Sequence, residues 1–200
     1  MEFTIHTIET APEASKEALT HAVETFGLLP NLEGILAEAP AVLKGGMILW
    51  DLFETTSFTP IEQQVIYLTA NYEHDCSYCM AAHSGLAKMM GMRSEDIEAL
   101  RHGQPLADRK LQALRLFTKR MIEARGWVNE GEIEEFLAAG YTKQQVLEVI
   151  LGIAVKIIHN YTNHIAKTPL DKAFQPYVWS KPALSVCSQS SQSMHNDTEM

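Results

Sequence analysis

Two hundred residues, 46% hydrophobic and 20% charged, suffice for one core-forming domain and exclude a chain that is disordered throughout. Acidic residues outnumber basic ones by 25 to 16, and the net charge of −9 argues against a protein built to grip nucleic-acid phosphates. The N-terminus has no basic or apolar signal region, and the most apolar run, 146–158, is broken by Glu148 and Lys156, so the sequence predicts a cytoplasmic protein without a membrane span.

Strand signals are confined to 3–8, where alternation without a partner strand predicts an extended arm within residues 1–10. The rest reads at helical period. Helices are expected over 11–26, closed by Gly27, and over 31–38 and 41–54, separated by Pro40. Thr59-Pro60-Ile61-Glu62 is a capping box that opens a helix toward Tyr72. Asp75 then reads as the N-cap of a helix over 76–90 that stops at Gly91, and Ser94 as the cap of a short acidic helix fading at His102-Gly103. Further helices are expected over 106–124, 130–138 and 142–164. The periodic signal decays beyond Pro169, and a Ser- and Gln-rich composition makes 180–200 a disordered tail that holds Cys187. Residues 1–179 are thus read as one helical domain. A weak internal repeat lays Gln63-Gln64-Val65-Ile66 over Gln144-Gln145-Val146-Leu147 and His83 over His164, which leaves chance similarity and duplication both open.

The three cysteines are too few, and odd in number, for a secreted disulfide framework. Two of them fall in Cys76-Ser-Tyr-Cys79-Met-Ala-Ala-His83, which places both sulfurs and the imidazole on neighbouring turns of one helical face. Near a helix start, exposed N–H groups and the helix dipole favour thiolate over thiol. One sulfur can then attack, the other resolve, and the histidine move protons. Zinc binding by Cys76, Cys79 and His83, with His74, His159 or His164 as a fourth ligand, is an alternative, but no second cysteine cluster completes it. Simple packing of small cysteines at a helix interface is the other.

That string, preceded by an amphipathic helix opening Thr-Pro-x-Glu and followed late in the chain by Asn160-Tyr161-Thr162-Asn163-His164, resembles the carboxymuconolactone decarboxylase / alkylhydroperoxidase D-like (AhpD-like) family, in its peroxidase-related branch, over about residues 40–170. The resemblance implies an all-α, AhpD-like helical bundle that assembles as a homo-oligomer, commonly a trimer or hexamer. It also implies a thiol-dependent peroxidase with Cys79 attacking a hydroperoxide, Cys76 resolving, His83 helping to deprotonate the attacking sulfur, and a thiol or dithiol reductant. No cofactor, metal, nucleic acid or membrane enters that expectation. The decarboxylase branch does not depend on a cysteine pair, so both thiols favour the redox branch.

Two positions depart from the family pattern. Gln64 stands where a relay glutamate precedes the motif, and Tyr78 where the best-known peroxidase has a histidine between the cysteines. Glutamine can orient a histidine but cannot take a proton. Glu62 is engaged in the capping box, which leaves Glu73, just before the motif, or water as the expected substitute. The other readings are a redox-sensing or non-catalytic helical oligomer with a vestigial dithiol, and a decarboxylase-like enzyme. His159 and His164, five apart on the last helix, are expected to be solvated near its end, with contact of one of them with the dithiol site as the alternative. Met80, Met89, Met90 and Met92 are expected as core or interface filler, and Trp50, Trp127 and Trp179 are too scattered for a stacking platform.

Overall fold

Local chemistry fixes where each helix begins and ends. The computed structural model describes residues 2–183, and among these the chain forms nine α-helices and one 3-10 helix with no strand. They are α1 Glu13–Phe26, α2 Asn31–Leu36, α3 Pro40–Glu54, α4 Pro60–Glu73, α5 Ser77–Met89, α6 Ser94–Arg101, α7 Arg109–Glu123, α8 Glu130–Ala138 and α9 Lys143–Ala166, then the 3-10 helix Lys172–Tyr177. The fold is all-α, as expected. Most of the expected tail, with Cys187, lies outside the described residues.

Thr59 caps α4: its hydroxyl accepts from the Glu62 N–H, and the Glu62 carboxylate accepts from the Thr59 N–H at 2.9 Å. The same reciprocal pairing opens α8 at Asn129 and Glu132 and α9 at Thr142 and Gln145. Pro40, expected as a separator, is the first residue of α3, where its missing N–H costs nothing. Two expected caps move by one residue. Asp75 has φ 56, a left-handed turn that ends the preceding helix, so the N-cap of α5 is Cys76. Arg93 takes the cap position of α6, with Ser94 as its first helical residue. The 3-10 helix, six residues with Pro176 inside, is too short to show a helical period.

Helix α4 lies at the centre and packs on α5, α7 and α9, while α3 bridges α9 and α1. Val65, Ile66, Tyr67 and Leu68 of α4 are all fully buried. One apolar cluster joins them to Phe53, Leu114, Phe117, Phe136 and Val149. A second joins Leu19, Leu32, Leu36, Leu43 and Met47 to Cys76, Tyr78 and Cys79. The dithiol helix therefore sits where two cores meet. The N-terminal arm crosses α2 with its His6 N–H on the Gly34 carbonyl at 3.0 Å, an approach that a Cβ at Gly34 would block at 2.8 Å from His6 O. Among the described residues no helix is long and apolar enough to cross a membrane. The two segments aligned by the weak repeat differ in use: α9 runs unbroken where α4 and α5 are separate, and Gln145 caps a helix whereas Gln64 bonds His83.

Gly152 carries the close packing of α9: a Cβ there would lie 2.8 Å from both Ile66 Cγ2 and Phe53 Cε2, two fully buried side chains. Gly152→Ala gains about 1 kcal/mol of helix propensity but overpacks the core, at a cost of about 1–3 kcal/mol. Urea unfolding is expected to show a net loss of stability, whereas Gly45→Ala, with open space around its Cβ, is expected to gain.

Candidate active site

The turn between α4 and α5 aims two sulfurs into the seam between the cores. Cys76 N–H donates to the Asn71 carbonyl at 2.9 Å, which locks the turn after the left-handed Asp75. Cys76 is fully buried and Cys79 is 2% exposed. From α9, Asn163 Nδ2 donates to Cys79 Sγ at 3.2 Å and reaches Cys76 Sγ at 3.8 Å. A hydrogen bond from the Cys79 thiol, helped by the Lys156 charge, holds Cys76 down to about 7. Burial, and then that same shared hydrogen bond, push Cys79 up. The two thiols thus share one proton, and their first ionisation belongs to the pair. Cys79 is the member that reaches the adjoining cavity.

His83 lies one turn further along α5 and is buried under Tyr67 and Trp50, with ring centroids 4.8 and 5.8 Å away. Its Nδ1–H donates to Gln64 Oε1 at 2.9 Å, and its Nε2 accepts from Lys156 Nζ at 2.8 Å. Donation by the lysine requires a bare Nε2, so the amide oxygen of Gln64 receives the ring proton and the tautomer is set. Burial first, then the charge of Lys156 and His159, holds His83 well below the ordinary histidine range. Lys156 itself has no exposed surface and no carboxylate within salt-bridge distance among the described residues. Its Nζ stands 5.2 Å over the Tyr67 ring, a cation–π contact.

A cavity of about 330 Å³ opens beside these groups. Its polar wall is Cys79, His83, Lys156, His159 and Glu33, and its remaining wall is largely apolar and aromatic, including Phe26, Trp50 and Phe174. Met89 at the edge is 84% exposed, so it is neither core nor filler within this chain. His159 is not solvated at a helix end, because α9 continues to Ala166 and Trp50 stacks on its ring at 6.2 Å. Burial, then Lys156, lowers His159 to about 3. Tyr78 donates its hydroxyl to Asp171, whose carboxylate accepts the Asn31 N–H at the start of α2.

The sequence-derived candidates therefore divide. Cys76, Cys79, His83, Gln64 and Tyr78 converge, whereas Glu73 pairs with Lys119 at 3.7 Å and does not line the cavity. Among the described residues no three His, Cys, Asp or Glu side chains converge to hold a metal ion. Sequence reasoning missed Asn163, Glu33 and Lys156 as site residues. Lys156 had a signal, since it interrupts the most apolar run of the chain.

Residues 47–119 match the sequence profile of the carboxymuconolactone decarboxylase family. A search of curated proteins finds no match. Among solved structures, an uncharacterized peroxidase-related protein with an alkylhydroperoxidase AhpD core from Ralstonia eutropha JMP134 superposes with a TM-score of 0.76 at 15% identity, covering 86% of this chain and 93% of that one. The debrominase Bmp8, bound to 2,3,4-tribromopyrrole, gives 0.75 at 14% identity, covering 88% and 95%. A peroxidase-related protein from Silicibacter sp. TM1040 gives 0.72 at 15%, covering 87% and 95%. At such identities these likenesses speak to the fold. The segment that holds the dithiol helix thus matches the carboxymuconolactone decarboxylase family profile, within a chain of AhpD-like fold.

Proposed function

We propose that this protein is a thiol-dependent oxidoreductase that reduces hydroperoxides, with Cys79 attacking and Cys76 resolving. One observation carries the reading: two hydrogen-bonded sulfurs share Asn163 Nδ2, and only the Cys79 side of the pair faces a cavity that also holds Lys156. The Lys156 charge and the Asn163 N–H favour the thiolate. The proton shared by the pair passes to Cys76, the Cys79 thiolate so formed takes the terminal oxygen of the hydroperoxide, the O–O bond breaks, and Cys79 becomes a sulfenic acid. The Cys76 thiol then attacks that sulfur, water leaves, and a disulfide forms across the first turn of α5. An external thiol or dithiol returns the pair to its reduced state, a cycle suited to the cytoplasm. His83, with both ring nitrogens engaged, acts through Lys156 and holds it beside the dithiol. The exposed apolar row Leu147, Ile150, Ile157, Tyr161 and Ile165 along α9 supports the homo-oligomer expected from the sequence.

The aromatic wall of the cavity, together with the likeness to a debrominase that binds a brominated pyrrole, favours a second substrate for the same electrons. In that reaction the two thiols supply two electrons and two protons, the carbon–bromine bond is replaced by carbon–hydrogen, and hydrogen bromide leaves.

Cys79→Ser is expected to abolish turnover, and Cys76→Ser to leave a single oxidation event that stops at the sulfenic acid. Free-thiol titration after dilute cumene hydroperoxide reads both, with two thiols lost per chain in the parent. Undiminished peroxide reduction by Cys79→Ser would overturn the assignment, and thiols consumed by tribromopyrrole but not by peroxide would favour the second substrate.

The first ionisation near 7 predicts that iodoacetamide alkylation of the pair accelerates as pH rises through neutrality and then levels, because only the thiolate reacts. Lys156→Met removes the cation that favours the thiolate, so that midpoint moves upward and alkylation at pH 7 slows roughly tenfold for each unit moved. Stopped-flow alkylation across pH checks both.

A further inference from the structure

Among the described residues Glu33 is the one carboxyl in the wall of the dithiol cavity, and the cycle above gives it no task. It belongs to α2, well outside the motif, and is 3% exposed. Apart from its own backbone N–H, the carboxyl finds no hydrogen-bond partner among the described residues. A buried carboxyl without a partner is costly unless it stays protonated or serves the cavity it faces.

Its position is strongly enforced. The N–H of Asn31 is held by the Asp171 carboxylate at 3.1 Å, and Asn31 Nδ2 donates to the Pro169 carbonyl at 3.0 Å. Tyr78 Oη accepts the Leu32 N–H at 3.4 Å while donating to Asp171. On the other side the N-terminal arm bonds Gly34, and Ser15 Oγ donates to the Ala37 carbonyl at 2.7 Å. A six-residue helix tied at both ends by four other segments is a rigid mount.

Attack of a thiolate on a hydroperoxide leaves an alkoxide, which is a poor leaving group unless it is protonated as the O–O bond breaks. Gln64 cannot give that proton, and both nitrogens of His83 are engaged, one of them donating to Gln64. We propose that Glu33 is the general acid of the peroxide step: as Cys79 sulfur takes the terminal oxygen, the Glu33 carboxyl gives its proton to the departing alkoxide, which leaves as the alcohol. The balance closes: thiolate, hydroperoxide and the protonated Glu33 carboxyl yield sulfenic acid, alcohol and a Glu33 carboxylate that solvent reprotonates. This assignment rests on the hydroperoxide reading of the site.

The surroundings of Glu33 suit the task. Cys79 and Tyr78 face it from α5, Lys156 from α9 and Asp171 from the segment before the 3-10 helix, while His83 and His159 line the same cavity. Burial, with the Cys79 and Asp171 charges adding to it, raises Glu33 to about 8 against the opposing pull of Lys156. The negative charge of the ionised thiol pair helps keep the proton on Glu33, and Lys156 favours loss of a proton from that pair. A charged nucleophile and a neutral acid therefore coexist near neutral pH, the condition for a paired nucleophile and general acid.

Glu33→Gln keeps shape and, at pH 6, charge. Three rates are measured at pH 6 in parent and variant: oxidation by cumene hydroperoxide, oxidation by 3-chloroperoxybenzoic acid, whose carboxylate leaving group needs no proton, and alkylation by iodoacetamide. The expected result is a loss of roughly 100-fold with cumene hydroperoxide, with the other two rates held within about threefold. Equal loss with both oxidants, or loss with neither, overturns the assignment. The parent supplies a check that needs no variant: the ratio of cumene hydroperoxide oxidation to alkylation should fall as pH rises above about 8, where Glu33 ionises, and a ratio independent of pH overturns it. A parent that forms no sulfenic acid with either oxidant refutes the hydroperoxide reading itself, and this inference falls with it.

Discussion

A lysine sealed inside the protein sets the terms for everything near it. Lys156 Nζ has no carboxylate within ion-pair distance among the described residues, and its hydrogen-bond partner is a neutral imidazole nitrogen, His83 Nε2, at 2.8 Å. A buried cation so placed must be met by lone pairs, aromatic faces and nearby negative charge, or the desolvation cost is unrelieved. Two elements supply them: α5 gives the imidazole and, at its start, the ionised thiol, and α4 gives the Tyr67 face. His83 and His159 cannot take protons beside it, and both are held well below the ordinary histidine range. Burial first, and this charge with it, keep the two imidazoles neutral, while the Cys79 hydrogen bond and the same charge favour ionisation at the sulfur pair.

The same charge ties reactivity to packing. Lys156, His159 and Asn163 lie on one face of α9, and Gly152 lets that helix press against α4 and α3. This apolar contact, with hydrogen bonds from Lys156 to His83 and from Asn160 to His74, holds α9 against the segment that carries the sulfurs. On the opposite wall, Tyr78 and Asp171 tie α5 to α2, so the motif residue between the two cysteines positions a segment far away in sequence. The site is thus a junction of α2, α4, α5 and α9, and none of them holds the chemistry alone.

How much of this was readable beforehand follows from the range of each interaction. Short-range signals were legible: the Thr59–Glu62 box, the C-x-x-C-x-x-x-H spacing, Gly27 with φ 73 at the end of α1, and the all-helical period. One-residue shifts at Asp75 and Ser94 arose because cap preference names a residue type, while the backbone dihedral decides which neighbour fills the position. Long-range partners were not legible. Lys156 read as a flaw in an apolar run and His159 as a helix-end residue, since nothing local says that α9 passes over His83. Glu33 sits in a short apolar helix whose docking depends on Asp171, at a separation no periodic argument reaches.

Gln64 gains a meaning from these long-range contacts. A carboxylate at that position would compete with Cys79 for the Lys156 charge and would draw the His83 proton in a pH-dependent way. An amide accepts the same Nδ1–H without titrating, so the His83 tautomer, and with it the lone pair that holds Lys156, does not change across the pH range in which the dithiol ionises. The groups left free to change protonation at the cavity near neutral pH are then the sulfur pair and the Glu33 carboxyl, driven apart by a cation near one and by burial of the other. In this geometry the histidine is a fixed support, and the carboxyl placed to exchange a proton with the cavity is Glu33 on the wall formed by α2.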